Sequence, residues 1–335
     1  MRHQKHQQPN NIFYKKVKII LLFCLIPIFL YADAHIFVFH RFGDTRYKST
    51  NTSIKELTKE FNYFKNHGYK VIKLQKLINA VKNRKKINDK WIVLTIDDNF
   101  QSFYKNGLKI FKEYNYPFTM FVYVQATEDR YPDYTTWNEL KKISKYGSIE
   151  FHSFSHPHMT FKSDKFLRND FARGLKLMKK RLGIVPKYFA YPYGEYDKRV
   201  RNIAKEFGFE AILNQNIGAV GKYSNIFDLN RNALVGKTHL KEDLEYKELR
   251  VKWIKPKGYP KNGILTKIMA KLYLQDIKNA KYYLTDYGWH RAKVVGSFIN
   301  EDVNKKLHQG RNRIVISVGH KIKAKLLIKD KYEFE

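Results

Sequence analysis

Short apolar runs rich in β-branched and aromatic residues alternate with segments of helical periodicity from residue 35 to about residue 235. The strand-like runs lie at residues 35–42, 91–97, 118–124, 149–151, 188–191, 211–213 and 232–235. Between them, Ser53 with Glu56 and Thr136 with Glu139 form capping-box pairs that mark the starts of helices. Such alternation is typical of a parallel sheet with helices on its faces, and about seven repeats favour a closed or nearly closed barrel. We therefore predict an α/β fold whose chemistry lies at the carboxyl ends of the barrel strands.

The pattern changes after about residue 245. Alternating or β-branched runs occupy residues 249–254, 264–274, 292–299, 313–318 and 321–328, with turn signals at residues 286–288 and 309–310 among others. Helical periodicity is almost absent from this part of the chain. The sequence therefore predicts a barrel over residues 35–245, followed by a small all-β, sandwich-like accessory domain over residues 246–335.

The first 34 residues have the features of a signal peptide. Lysines at positions 15, 16 and 18 precede the apolar run 19–31, and Ala32-Asp33-Ala34 supplies the small residues of a cleavage site. The run is shorter than the about 20 apolar residues that a comfortable membrane span needs. We expect cleavage before His35 and a location in the periplasm or cell envelope. The alternative is an uncleaved N-terminal membrane anchor.

Charge and cysteine content narrow the choice of partners. The 335 residues include 64 lysines and arginines against 31 acidic residues, a formal net charge of +33. This excess favours an anionic partner such as an envelope surface, or it is only a lysine-rich solvated surface. Because the chain carries an export signal, we expect no nucleic-acid partner. The single cysteine, Cys24, lies in the signal segment, so histidines and carboxylates would have to hold any metal.

Two polar segments at predicted strand ends could bind a metal ion. Asp97 and Asp98 end the strongest strand pattern, and because successive side chains of a strand alternate, one could bind a cation while the other faces substrate. Such pairs also commonly cap helices. His152 and His156 have an H-x-x-x-H spacing, which would place both imidazoles on one side of a helical turn as a metal requires. The alternative is a pair of surface histidines.

A third segment, Tyr191-Pro192-Tyr193-Gly194, follows another predicted strand. Its proline and glycine fix a turn that could present a backbone N–H to a substrate. The alternative is an ordinary connection between a strand and a helix.

Together and in this order, the three segments resemble the signatures of the polysaccharide deacetylase family, the NodB homology domain of carbohydrate esterase family four. Residues 95–98 are similar to its T-F-D-D signature, residues 152–156 to its H-[ST]-x-x-H signature and residues 189–194 to its P-Y-G signature. The resemblance covers about residues 35–235 and implies a distorted (β/α)7 barrel, in agreement with the alternation of strands and helices. It also implies a metal-dependent polysaccharide N-deacetylase, a hydrolase that acts on linear amide C–N bonds.

The resemblance also implies a metal centre and a base. Asp98, His152 and His156 would hold one divalent metal ion, usually zinc, and Asp97 would be the base that activates water. Because an amide is a poor electrophile, a metal that acidifies water and polarises the acetyl carbonyl suits this reaction.

The turn at residues 191–194 would complete the catalytic site. The backbone N–H of Tyr193 would stabilise the oxyanion that forms from the acetyl carbonyl. Pro192 and Tyr191 are the expected substrate contacts in the same turn.

The sequence also departs from the family pattern. Asn99 replaces the usual small residue after the aspartate pair, the third motif lacks the arginine that often orients the base, and a C-terminal Leu-x-His motif is missing. Arg231 could replace the missing arginine, or it forms a surface ion pair. These departures resemble the subgroup that deacetylates poly-N-acetylglucosamine, in which His40 takes the place of the histidine of a Tyr-His dipeptide. We expect His40 to be the general acid; it could instead be a buried strand histidine, with His158 and His239 as other candidate acids.

The leading hypothesis is an exported, metal-dependent hydrolase that removes N-acetyl groups from an N-acetylhexosamine polymer of the poly-N-acetylglucosamine type. The alternatives are a peptidoglycan N-acetylglucosamine deacetylase and a non-catalytic glycan-binding protein on the same fold. Because every candidate catalytic motif precedes residue 235, we expect residues 246–335 to be dispensable for the chemical step and to contribute to polymer binding.

Overall fold

The computed structural model describes residues 33–236, 238–275 and 277–329. The lysines and the apolar run of the predicted export signal fall outside these residues. Of the expected cleavage site, Asp33 and Ala34 fall inside them and are built into the fold. Ala34 exchanges two backbone hydrogen bonds with Val220, and the Asp33 carboxylate accepts one from the backbone N–H of Glu248 at 2.8 Å.

The first part of the chain is built on a parallel sheet. The strands of this part are β1 (His35–Phe39), β2 (Arg41–Phe42), β3 (Asn51–Thr52), β4 (Lys70–Val71), β5 (Trp91–Asp97), β6 (Thr119–Val122), β7 (Ser148–Phe151), β8 (Tyr188–Ala190), β9 (Ala211–Leu213) and β10 (Asn232–Ala233). The short strands β2 and β3 pair with each other in a separate sheet. The spatial order is β10-β1-β5-β6-β7-β8-β9, and β4 pairs with β5 as well. All of these pairings are parallel. Six of the seven predicted strands are confirmed, the predicted run 35–42 is interrupted at His40 so that only β1 joins the sheet, and β4 was not predicted.

The sheet curves until its two edges meet. Leu213 at the end of β9 forms a parallel bridge with Leu229, just before β10. The backbone N–H of Asn214 donates to the carbonyl of Leu229 at 2.9 Å, and that of Leu229 donates to the carbonyl of Ile212 at 3.0 Å. The distorted barrel expected from the sequence is confirmed, and it places all the strand ends that carry polar motifs at one rim.

Helices cover the outside of the barrel. They are α1 (Ile54–Asn66), α2 (Leu74–Lys82), α3 (Leu108–Glu113), α4 (Val124–Glu128), α5 (Trp137–Ile143), α6 (Asp164–Leu182), α7 (Lys198–Glu206) and α8 (Leu240–Glu245). Both predicted helix starts are confirmed. Ser53 accepts a hydrogen bond from the backbone N–H of Glu56, and Thr136 with Glu139 forms a complete capping box. Within the described residues, every helix is too short or too polar to cross a lipid bilayer.

Alternation along the strands produces two apolar layers. Phe37 and Phe39 of β1 belong to one cluster, which includes residues of α1, α3 and α5, whereas Ile36 belongs to a second cluster with Val93 and Phe121 of neighbouring strands and residues of α2. A strand whose two faces are both buried reads as a continuous apolar run, as these strands do in the sequence.

The C-terminal part of the chain is entirely β. Its strands are β11 (Lys247–Glu248), β12 (Val251–Lys255), β13 (Ile264–Leu272), β14 (Ala280–Leu284), β15 (Gly288–Arg291), β16 (Val294–Val295), β17 (Phe298–Lys306), β18 (Arg311–Val318) and β19 (Lys321–Ile328). They form a five-stranded sheet, β11-β19-β18-β14-β15, and a four-stranded sheet, β12-β13-β17-β16. Ile314 of the first sheet and Ile268 and Ile299 of the second share one core, as in a sandwich.

Three details of the predicted β domain were wrong, the first being that β17 extends to Lys306 although the predicted run ends at residue 299. The run 292–299 is not one strand, because the chain turns at Gly296, whose φ of 59° lies in the left-handed region. The hairpin of β14 and β15 was missed, although its turn signal at residues 286–288 was recognised. The boundary between residues 245 and 246 stays a prediction.

Candidate metal centre and active site

Three side chains converge at the rim where β5 and β7 end. The Asp98 Oδ1 atom lies 3.0 Å from His156 Nε2 and 3.5 Å from His152 Nε2, and the two Nε2 atoms are 3.3 Å apart. These three groups form the candidate metal cluster of the described residues, with ligand atoms all within 4.8 Å of one another. One carboxylate and two imidazole nitrogens that converge in this way suit a divalent cation such as zinc and leave positions open for water or substrate.

The surroundings of His152 prepare it as a ligand. Its Nδ1 atom lies 2.7 Å from the carbonyl oxygen of Ala190, so this nitrogen carries the proton and donates it. The Nε2 lone pair is therefore available, which is the arrangement that metal-bound histidines use. Asp98 Oδ1 faces the Nε2 atoms of both histidines. The side chains thus fit a cation at the point where their free lone pairs meet.

The loop after β7 brings the two histidines together without a helix. Ser153 has φ 72° and His156 has φ 49°, so the H-x-x-x-H segment is not the helical turn that the sequence suggested. Asp170 of α6 holds this loop, because its carboxylate accepts hydrogen bonds from the backbone N–H groups of Phe154 and Ser155 at 2.9 and 2.8 Å. A buried carboxylate on α6 therefore replaces helical hydrogen bonds in fixing the spacing of the imidazoles.

Asn99 has a structural reason to follow the aspartate pair. Asp98 and Asn99 have φ 68° and 45°, and asparagine tolerates this left-handed region better than most residues. The Asn99 side-chain amide donates to the hydroxyls of Thr127 and Thr135 at 2.9 and 3.0 Å and accepts from the backbone N–H of Tyr123 at 2.8 Å. Asn99 thereby ties the metal loop to the loops after β6.

Asp97 forms a fully buried ion pair with Arg231. The guanidinium donates from Nη1 to Oδ1 at 2.7 Å and from Nη2 to Oδ2 at 2.8 Å. Arg231 is fixed in turn by Nε, which donates to the carbonyl of Asn214 at 2.7 Å. Gln215 also donates to Asp97 Oδ2, at 3.3 Å. The alternative of a surface ion pair for Arg231 is wrong, because neither side chain is exposed.

The electrostatics keep both aspartates ionised. Burial alone would raise the pKa of Asp97, but Arg231 and then His152 outweigh burial, so the pKa lies below its usual value. The pKa of Asp98 is lowered in the same way, where His156 and His152 outweigh burial. Burial lowers the pKa of His152 to about 4, which leaves its imidazole neutral near pH 7. Asp98 raises the pKa of His156 against the effect of burial.

His40 lies at the same rim, between β1 and β2. It is half-buried, and its Nδ1 atom has no hydrogen-bond partner among the described residues. Burial of Asp97 and Asp98 would raise their pKa values, and electrostatic interaction with the nearby His40 is one of the effects that lower them. The structure therefore brings His40 to the candidate site, whereas His239 is an exposed residue that precedes α8.

The turn after β8 presents one tyrosine and buries another. Tyr193 has φ 57° and is 37% exposed, and its backbone N–H takes no part in the hydrogen bonds of the described residues. Tyr191 is fully buried, where its ring stacks on Tyr196 at 4.6 Å, and Pro192 is buried beside it. The expected contacts of Tyr191 and Pro192 with a glycan are corrected accordingly, since both residues are buried and the accessible ring in this turn is that of Tyr193.

Sequence similarity supports the family suggested by these motifs. A family model described as polysaccharide deacetylase matches residues 84–212, which include both aspartates, both histidines and the turn after β8. Residues 84–212 match the polysaccharide deacetylase family. The matched residues include β5 to β8 and the start of β9, whereas His40 and Arg231 lie outside them.

Curated relatives are similar over part of their length. YxkH of Bacillus subtilis, whose name assigns it to the polysaccharide deacetylases, is 21% identical over 188 residues, 55% of this chain and 67% of the relative. The poly-beta-1,6-N-acetyl-D-glucosamine N-deacetylase of Escherichia coli K12 is 20% identical over 243 residues, 60% of this chain. The chain spans 36% of the length of that second relative.

Solved deacetylase structures share the fold. The Streptococcus pyogenes deacetylase PplD has a TM-score of 0.58 at 20% identity, covering 62% of this chain and 94% of PplD. IcaB from Ammonifex degensii has a TM-score of 0.54 at 21% identity, covering 61% of this chain and 92% of IcaB.

Several residues of the site carried no recognisable signal. Gln215 lies beside Asp97, and Glu195 lies beside His158, with Glu195 Oε2 2.7 Å from His158 Nδ1. Arg311, from the C-terminal β region, contacts the turn that contains Tyr193. None of these belongs to a local motif, so only the folded structure brings them to the site.

Proposed function

We propose that this protein is an exported, metal-dependent hydrolase that removes N-acetyl groups from an N-acetylhexosamine polymer of the poly-N-acetylglucosamine type. The observation that carries the proposal is the placement of the buried Asp97–Arg231 pair beside the cluster of Asp98, His152 and His156. The name of the Escherichia coli relative favours a β-1,6-linked N-acetylglucosamine polymer. The net charge of +33 is compatible with work at an anionic envelope surface.

Asp98, His152 and His156 would hold one divalent cation, for which zinc is the first choice. When bound, the cation supplies Lewis acidity that acidifies water and polarises the acetyl carbonyl. His152 arrives neutral because burial lowers its pKa to about 4, so this ligand need not lose a proton near pH 7. The donor set has no sulfur, which suits zinc bound by nitrogen and oxygen ligands.

Asp97 is the proposed general base. Its carboxylate stays ionised because Arg231 and His152 outweigh the effect of burial on its pKa. Arg231 uses both of its Nη groups on Asp97, so the carboxylate cannot rotate freely. Asp97 accepts a proton from the attacking water, and Arg231 keeps it oriented while the proton moves.

Two further groups act on the acetyl oxygen and on the amide nitrogen that leaves. The Tyr193 N–H, which no described residue accepts, donates a hydrogen bond to the acetyl oxygen as that oxygen gains negative charge. His40 donates a proton to the nitrogen as the C–N bond breaks. The products are acetic acid and an amine on the sugar, which become acetate and an ammonium group when the acid's proton passes to the amine; the proton taken by Asp97 is balanced by the proton given by His40.

Export is part of the proposal, and its cleavage point is a separate question. Cleavage before His35 would remove the hydrogen bonds that Asp33 and Ala34 make to Glu248 and Val220. N-terminal sequencing of the secreted protein would locate the cleavage. Recovery of the unprocessed chain in the membrane fraction would instead support an uncleaved anchor.

The function is tested by measuring acetate release from N-acetylated polymers by the purified, metal-loaded protein. We expect release from poly-β-1,6-N-acetylglucosamine at a higher kcat/KM than from chitin oligomers or peptidoglycan. Preference for peptidoglycan would change the substrate. Binding to a polymer without acetate release from any of them would favour the non-catalytic alternative.

A further inference from the structure

We propose that Arg311 of β18 is a positioning residue for the turn that carries Tyr193, so that the C-terminal β region takes part in the chemical step. The proposal rests on the deacetylase function proposed above and extends it to a residue far outside the family match, which ends at residue 212. It also replaces the expectation that residues 246–335 are dispensable for chemistry.

Arg311 lies on β18 in the C-terminal β region and contacts the turn that carries Tyr193. Its Nη2 donates to the carbonyl oxygen of Tyr193 at 2.8 Å, and its Nη1 lies 3.7 Å from Glu195 Oε1. The Glu195 side chain is almost fully buried, so its charge has to be balanced by neighbours. Arg311 therefore contacts both the residue whose N–H is proposed to act and the acidic residue two positions later.

A second set of contacts holds the same tyrosine from its ring. Glu195 Oε2 lies 2.7 Å from His158 Nδ1, and the His158 ring stacks on the Tyr193 ring with centroids 4.1 Å apart and an angle of 8° between planes. The Tyr193 ring also meets the edge of His156, with centroids 4.5 Å apart. Arg311, Glu195, His158 and Tyr193 thus form a continuous series of contacts that ends at a proposed metal ligand.

The backbone of Tyr193 needs such support. Its φ of 57° lies in the left-handed region, which is uncommon for a residue with a side chain and persists only where the surroundings impose it. The turn's own hydrogen bonds run from Gly194 to Tyr191 and from Glu195 to Pro192, and within the part of the chain that the structure describes no backbone N–H donates to the Tyr193 carbonyl. Arg311 supplies a side-chain partner for this carbonyl and so opposes rotation of the residue whose N–H is the proposed oxyanion donor.

A second arginine of β18 supports the neighbouring loop. Arg313 lies two residues further along the strand and hence on the same face as Arg311, and its Nη2 donates to the carbonyl of Gln215 at 3.2 Å. Gln215 in turn donates to Asp97 and packs against Gly194, where an added Cβ would lie 2.6 Å from the Gln215 Cβ. Side chains on one face of β18 therefore donate hydrogen bonds both to the turn of the proposed oxyanion donor and to the loop beside the proposed base.

The kinetic test compares two N-acylated oligomers of the same length. One carries N-acetyl groups, and the other carries N-trifluoroacetyl groups. Fluorine substituents stabilise the negative oxygen themselves, so the second amide needs the Tyr193 N–H less. Arg311→Ala should lower kcat on the acetamide by about 10- to 100-fold, as a displaced catalytic group does, with little change in KM. The loss on the trifluoroacetamide should be several-fold smaller. Arg311→Lys, which keeps one donor, should recover part of the acetamide rate.

A matched control and a second readout separate positioning from loss of folded protein. Arg291→Ala changes an exposed arginine on β15 of the same region and should leave both rates unchanged. In hydrogen exchange, the segment 191–196 should exchange faster in Arg311→Ala than in wild type or Arg291→Ala, at unchanged metal content. This readout does not depend on activity, so it remains informative if the wild type releases no acetate.

Three results would overturn the proposal. They are equal loss on the two amides, which indicates a smaller active fraction, an unchanged acetamide rate, or unchanged exchange of segment 191–196. A wild type inactive on every amide would instead refute the proposed deacetylase function, and the exchange measurement alone would then decide the role of Arg311.

Discussion

Arg231 donates a hydrogen bond to each carboxylate oxygen of Asp97, at 2.7 and 2.8 Å, and neither side chain is exposed to solvent. The two residues are 134 positions apart in the chain, and the barrel brings them together where β10 closes against β1. The pair distinguishes the proposed base from the proposed metal ligands. Both carboxylate oxygens of Asp97 accept hydrogen bonds from Arg231, whereas Asp98 faces His152 and His156.

Arg231→Lys should move the acidic limb of the pH profile of kcat/KM to higher pH. Arg231 and His152 lower the pKa of Asp97 against burial, so weakening the arginine contact raises that pKa. The base is then ionised only at higher pH than in wild type, so the acidic limb moves in that direction. The profile should be measured on a short soluble oligomer. An acidic limb at the wild-type position would show that Arg231 does not set the ionisation of the base.

His152→Ala and His156→Ala should each lose most of the bound metal, since each removes one of three ligands from the cluster. His158→Ala is the matched control, because His158 lies on the same loop but outside the cluster and is expected to keep its metal. Elemental analysis after dialysis gives the metal content per chain. Full occupancy in both ligand variants would refute the assigned cluster.

The sequence predicts those residues of the site that form a motif with near neighbours in the chain, and not the contacts between residues that are distant in the chain. Asp97, Asp98, His152 and His156 were predicted because each pair lies within five residues at the end of a strand pattern. The contact of Arg231 with Asp97 could be suggested only as one of two alternatives, since burial of a residue that distant depends on how the barrel closes.

The remaining differences have equally physical causes. A Tyr-Pro-Tyr-Gly sequence does not tell which tyrosine faces solvent, and the left-handed backbone of Tyr193 decides it. The helical turn expected for the histidines was wrong, because φ values of 72° at Ser153 and 49° at His156 follow from contacts with distant residues such as Asp170. Arg311 could not be predicted at all, since its partners lie about 118 positions away.

His40→Ala should lower kcat much more than it raises KM and should remove the alkaline limb of the kcat profile. That limb reports loss of the proton that the general acid donates to the leaving nitrogen. The structure places His40 beside the aspartate pair, in agreement with this role. His239→Ala changes an exposed histidine that pairs with Glu242; it is the control and should keep the wild-type profile. Persistence of the alkaline limb in His40→Ala would send the assignment to His158.

Glu60→Gln should stabilise the protein at pH 8 more than at pH 5. Burial in α1 raises the pKa of Glu60 to about 8 from an ordinary value of 4.5, with nearby Glu56 acting in the same direction. Between these values the folded state holds a proton that the unfolded state releases, so the free energy of unfolding of the wild type falls as pH rises. Glutamine has no such loss.

The stability difference between Glu60→Gln and wild type should therefore grow by more than about 1 kcal/mol between pH 5 and pH 8 in urea titrations. Glu113→Gln, which changes an exposed glutamate of α3, serves as the control and should show no such growth. A constant difference for Glu60→Gln across this range would mean that Glu60 is ionised in the folded protein.

The central claim is that Asp97 is the base of a metal-dependent deacetylase and is not itself a metal ligand. The most direct test is the initial rate of acetate release from an N-acetylglucosamine oligomer by Asp97→Asn and wild type at equal metal content. We expect wild type to release acetate and Asp97→Asn to retain its metal while its rate falls by about 10²- to 10⁴-fold. A metal-loaded Asp97→Asn with a rate close to wild type would contradict the account.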